Sequence, residues 1–160
     1  MKKLTTLTLC FAVLTLMLFT GCQNPSEHTT TTTSTGESSA TVTLTIRCDT
    51  IENRENYSHI PNDGVILGAT EYAIEQGDSA YDLICKAAEE ENLIVATDGD
   101  PASPYITGIS NIFGGDFGEL SGWLFYVNGE SPSVGCADYT LCDGDSVEWL
   151  YTCNMGEDLS

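Results

Sequence analysis

The sequence predicts an α+β fold in which a single helix lies across a mixed sheet. Three observations carry this. "TVTLTIRC" (41–48) and "SVEWLYTC" (146–153) alternate apolar and polar residues, the period of a half-buried strand. One stretch, "DSAYDLICKAAEEEN" (78–92), carries a helical period. The rest breaks into short runs between Gly- and Asp-rich turns.

In order, Val42, Leu44, Ile46 and Cys48 share one face of the first strand. A long polar loop follows over 49–64, then a second strand in "ATEYAIEQGD" (69–78) that turns at Gly77. Ser79, with Asp82 three residues on, reads as a capping box at a helix start. Tyr81, Ile84, Cys85 and Ala88 fall at i, i+3, i+4 and i+7 and predict the core face. Glu89, Glu90 and Glu91 stand at the end that the helix dipole disfavours. "LIVAT" (93–97) and "YITGIS" (105–110) are the third and fourth strands, and "NIFGGDFGELSG" (111–122) is a Gly-rich loop. "WLFYV" (123–127) and the residues after Asn128-Gly129 predict a hairpin through a two-residue turn. The last strand puts Val147, Trp149, Tyr151 and Cys153 on one face. Two strands, one helix, then several strands suit a β-grasp-like sheet, with first and last strands paired in the middle and the helix covering one face.

Residues 1–21 read as a signal peptide rather than part of the module. Lys2 and Lys3 precede the apolar run 4–19, which is short for a spanning helix. "TGC" closes it and resembles a bacterial lipobox with Cys22 as the lipidated residue, although Phe19 departs from the usual Leu, Val or Ile. Residues 22–40 form a lipidated Cys and a Thr-rich linker that cannot bury a core. Residues 41–160 are the folded module. The expected location is the extracytoplasmic face of the cell membrane, held by lipid alone.

The chain of 160 residues carries 24 acids and five Lys or Arg. Past the signal, Arg47, Arg54 and Lys86 stand against the 24 acids, a net charge of −21. This excludes nucleic acid, whose phosphates need Lys and Arg. Of seven cysteines, five fall in the module, at 48, 85, 136, 142 and 153. Cys48 and Cys153 end alternations on strands expected side by side, which suggests one disulfide. Cys136 and Cys142 could close a small loop, leaving Cys85 on the helix core face. Export is compatible with both bridges.

Sequence spacing offers no catalytic or metal constellation. A Cys85–His59 pair would need an exposed thiolate, and no C-x-x-C or H-x-x-x-H occurs for zinc. "TDGDPAS" and "LCDGDS" read first as turns and second as weak calcium loops. The expectation is therefore no enzyme.

The most informative stretch is "SGWLFYVNGESPSVGCADYTL" (121–141). Trp123, Phe125 and Val127 share one face and Leu124 and Tyr126 the other, so one face goes to the core and the other forms an apolar patch unless loops cover it. "YITGIS", "GWLFYVNG" and "GCADYTLCDGD", with "EQGDSAYDLI" and "EWLYTCNMG" around them, resemble the C-terminal β-domain of the cobalamin carriers transcobalamin and intrinsic factor. They resemble still more the bacterial lipoprotein domains akin to it. The resemblance covers 42–156 and implies a β-grasp-like fold. It also implies a corrinoid (cobalamin) or similar bulky ligand, delivered to a membrane importer. The ligand-facing segments it implies are Ser103, Pro104, Tyr105 and Ile106, and the hairpin from Trp123 to Pro132. Trp123, Phe125 and Tyr126 would form the platform, with Leu124 and Val127 beside them and Tyr105 and Ile106 as flank. Asn128 and Ser131 would bond the ring's amides, next to Pro132. The carriers also hold a large helical domain that this chain lacks, so a second corrinoid-binding surface would have to complete the site. The other reading is an extracellular protein- or glycan-docking module without a cofactor.

Overall fold

The structure, a computed structural model, describes residues 40–159. The signal peptide, Cys22 and nearly all of the linker lie outside the described residues. The strands are β1 (Ala40–Arg47), β2 (Val65–Ile74), β3 (Val95–Asp100), β4 (Ser103–Ile109), β5 (Ile112–Phe113), β6 (Gly122–Val127) and β7 (Ser146–Thr152). One α-helix, α1 (Ala80–Glu90), stands between β2 and β3. No helix among the described residues is long and apolar enough to cross a membrane.

The fold is α+β. The larger sheet has the order β2-β1-β7-β6, with β1 and β7 parallel at its centre and the other pairs antiparallel. This is the β-grasp-like arrangement expected from element order. The strands between α1 and β6 form a separate antiparallel sheet, β3-β4-β5, rather than extending the first. The Gly-rich stretch makes the break: Gly114 N donates to Thr107 O and Gly115 N to Ser121 O, turning the chain out of β5 toward β6.

Val42, Leu44 and Ile46 of β1 and Val147, Trp149 and Tyr151 of β7 are buried on the core face. The helix starts at the predicted capping box, with both reciprocal bonds between Ser79 and Asp82 present. Its buried stripe is Ala80, Leu83, Ile84 and Ala87, one position off the expected one. Both stripes satisfy the same period and share Ile84. The observed stripe buries the wholly apolar Leu83, whereas the expected one would have buried the Tyr81 hydroxyl, which is costly unless bonded. Tyr81, Cys85 and Ala88 are therefore half-buried, on the edge of a groove of about 310 Å³ shared with Leu93 and Val95. Glu91 faces the buried Tyr72 hydroxyl, which has no hydrogen bond within 3.5 Å. Burial first, then the Glu91 and Glu90 charges, raise that hydroxyl's pKa.

Loop 49–64 is closed by Cys48 N donating to Gly64 O at 2.7 Å. Arg54 turns inward and donates to the carbonyls of Asp49 and Ile51. All five described cysteines are free thiols, so neither expected bridge is formed. The β1–β7 register explains the first. Arg47 pairs with Leu150, so Cys48 stands level with Tyr151, two residues short of Cys153. An offset of about 7 Å along the strand, added to the inter-strand gap, exceeds disulfide reach. In the second pair, Cys136 is buried with its thiol toward Pro104 O, while Cys142 is exposed.

Burial, opposed by Arg54 and reinforced by Asp49 and Asp63, pushes the Cys48 thiol from its ordinary 9.0 to about 11. The unfolded chain releases this proton near the lower value and the folded chain near the higher. The stabilisation is complete below the lower value and is lost as pH rises through the window, by roughly 2–3 kcal/mol. Urea midpoints measured across that window are expected to fall, and to fall less in Cys48→Ala.

Candidate functional site

Loop 131–145 builds the site, because it is fastened to the start of α1. The first helical N–H groups lack intrahelical partners. Here Ala80 N donates to Tyr139 O at 3.0 Å and Tyr81 N to Cys136 O at 3.1 Å. Leu141 N returns a bond to Asp78 O at 2.9 Å. The loop's far end is held by Asp145, which accepts from Asn128 Nδ2 and from Cys142 N, both at 2.8 Å.

The Asn-Gly turn forms as read. Asn128 and Gly129 both have positive φ, 54° and 80°, and Val127 and Glu130 exchange two backbone bonds. The residues after it do not return along β6, however. The chain leaves through Ser131-Pro132, and β7 takes the pairing position instead. Pro132 has no N–H to offer a ladder.

This sorts the expected ligand contacts. Trp123 is 2% exposed: its Nε1 donates to Ile112 O at 2.8 Å and its ring meets Tyr151 edge-on at 5.2 Å. It is core, not platform. Val127 and Ile106 are buried as well. Phe125 is half-buried between Trp149 and Tyr139, at centroid distances of 5.5 and 6.3 Å. Leu124 and Tyr126, also half-buried, lie on the opposite face, close to Gly156 of the C-terminal segment. Asn128 is exposed, but its amide is committed to Asp145 and to Ser146 N. Ser131 and Ser103 are exposed, and Pro132 and Pro104 half-exposed.

Tyr105 is the expected residue that presents a large apolar surface, at 61% exposure. Its neighbours on β4 meet loop 131–145. The Cys136 thiol donates to Pro104 O at 3.7 Å, and Gly135 lies beside Ser103 Oγ. Burial keeps the Cys136 thiol protonated, above its ordinary range, so it remains a donor. The join brings in Val134, 47% exposed and absent from the sequence expectation. A lone valine in "SPSVG" gives no period that could have marked it. The first expected segment thus meets 135–136, just past the second, which ends at Pro132. Exposed Asp98 and Asp100 at the β3–β4 tip accept from the nearby Gly99 and Ala102 N–H groups, as turn residues do. No group of three or more acids, His or Cys among the described residues is placed to hold a metal.

A family model described as a domain of unknown function, DUF4430, matches residues 77–152. No curated protein matches the chain. Among solved structures, the chain is similar to haptocorrin in complex with Cbi, at 15% identity and a TM-score of 0.53. The match covers 72% of this chain and 26% of that one, so the chain spans about a quarter of the haptocorrin it resembles. At this identity the likeness shows the fold. A Ruminococcus gnavus protein with a provisional metal-binding assignment aligns at 15% identity and a TM-score of 0.44, over 71% of this chain and 96% of its own.

Proposed function

We propose that the module is a carrier domain that holds one face of a corrinoid or similarly broad disc against Tyr105, Val134 and Pro132 and hands it to a membrane importer. In this reading the chain binds and releases its ligand without chemistry, and lipid on Cys22 keeps it at the extracytoplasmic face. One observation carries the proposal: two large apolar side chains stand exposed on segments that the Cys136–Pro104 bond holds together. Apolar side chains suit the face of such a disc, and Ser103 and Ser131 offer hydroxyls for edge amides. The fold likeness to a protein solved with Cbi supports the ligand class. A broad disc has two faces and this surface would cover one, so the reading calls for a second surface to cover the other. Tethering near an importer would raise its effective concentration.

The test is a titration with cobalamin, by calorimetry and corrin absorbance. Saturable binding is expected. Tyr105→Ser and Val134→Asp are each expected to weaken it about tenfold, or about 1.4 kcal/mol. Both positions are exposed, so melting should stay within about 0.5 kcal/mol of the parent. Binding that ignores both substitutions would move the ligand elsewhere.

A further inference from the structure

The end of the sheet away from loop 131–145 carries a second apolar surface. Three loops build it. From 49–64 comes Tyr57, 41% exposed; from 111–121 come Phe117 and Leu120; from the C-terminal segment comes Met155. Tyr57 meets Phe117 edge-on at 5.2 Å, and Phe117 meets Tyr151 at 5.9 Å, which roots the cluster in the core. Met155 N donates to Leu120 O at 3.0 Å, pinning two loops together while both side chains stand out, at 71% and 51% exposure.

Met155 sits in a turn that Thr152 Oγ1 holds, accepting from Asn154 N at 3.0 Å and Gly156 N at 2.7 Å. Its φ is +50°, a conformation that glycine adopts freely and a methionine does not. The side chain is mostly exposed, so little packing offsets that conformation. What the turn does not require is the side chain: with Tyr57 and Leu120 it makes an exposed apolar patch, the kind of surface that marks an interaction site.

The rim selects the partner. Glu55, Asp116, Glu119 and Glu157 are exposed and lie within two residues of Tyr57, Phe117, Leu120 and Met155. The loop's one cation, Arg54, is spent on its own carbonyls. Ala40, where the upstream chain enters, is at the other end of β1, about 23 Å from Arg47 along eight extended residues. The surface is therefore clear of the entry point.

We propose that this end is a docking surface for a partner protein with an apolar centre ringed by Lys or Arg. It is separate from the Tyr105–Val134 surface and does not depend on ligand binding there.

The probe is a labelled amphipathic Leu/Lys peptide of about two helical turns on each face, followed by anisotropy with the full chain. Two substitutions separate docking from general attraction to an acidic protein. Leu120→Asp adds negative charge, so non-specific attraction would tighten binding, whereas docking predicts about tenfold weaker binding. Met155→Gly removes the side chain and relieves the backbone, so the melting temperature should hold or rise while affinity falls about threefold or more. Protection from hydrogen exchange should concentrate in the three loops, and Tyr105→Ser should leave peptide binding unchanged. Unchanged or tighter binding in Leu120→Asp, or protection spread over the whole surface, would overturn the proposal. Should Leu120→Asp fail to fold, Met155→Gly decides alone: parental affinity in a stable protein would overturn it.

Discussion

Trp123→Ala is expected to destabilise the module by about 3–5 kcal/mol, the usual cost of emptying a large aromatic site in a core. The indole is 2% exposed and lies directly across from Tyr151 in the β6–β7 register. Its loss would open a cavity and strip Ile112 O of its donor. It would also loosen Tyr151, whose hydroxyl ties together Phe113 O and Ser121 Oγ, at 2.7 and 2.9 Å. A domain of this size has roughly 5–15 kcal/mol in all, so a large share of stability goes with one side chain. Trp123→Phe keeps most of the packing and gives up the hydrogen bond, so about 1–2 kcal/mol is expected. Urea denaturation measures both. A Trp123→Ala protein of parental stability would place the indole on the surface. The experiment therefore complements the Tyr105 and Val134 substitutions, which should do the reverse: spare the fold and weaken the ligand.

Gly64→Ala is expected to cost about 2–4 kcal/mol, and Gly129→Ala only about 1 kcal/mol. Both glycines have positive φ, 75° and 80°. They differ in surroundings. A Cβ on Gly64 would sit 2.5 Å from Asp49 Cα, a backbone atom that cannot swing aside, whereas one on Gly129 would meet nothing within 4 Å. The difference between the two is the steric part alone. Gly64 also accepts the bond from Cys48 N that closes loop 49–64, so moving it would loosen the loop that carries Tyr57. Comparable melting temperatures for the two variants would mean that the loop shifts freely.

The alternations of β1 and β7 were legible because each side of the sheet has its own polarity. The capping box was legible because it is local: Ser79 and Asp82 need nothing beyond four residues to find each other. The face of α1 was not, because two stripes share one period and only tertiary approach separates them. The Asn-Gly turn was readable, but not that β6 would pair across an eighteen-residue connection, since that choice is non-local. The same limit hid the cysteines. A two-residue offset in register decides whether Cys48 can reach Cys153, and alternation is blind to it. At the candidate site, family resemblance pointed to 103–106 and 123–132 and favoured the aromatic residues of the second. Size and aromaticity say that a side chain wants burial, and in Trp123 the core satisfied that before any ligand could. Tyr105 and Val134 stand out through exposure, which only the folded chain reveals.

The parallel pairing of β1 with β7 has a temporal consequence. Thr43 meets Ser146 and Arg47 meets Leu150, so the central ladder joins the first and last strands. Synthesis delivers these strands in order, and β1 has no partner on its β7 side until residues 146–152 are free. Until then β1 can pair only with β2, and its other edge is without a partner. Such distant closure folds slowly compared with local contacts. Closure of the sheet is therefore expected to come late, after β7 is made, rather than piece by piece from the N-terminus.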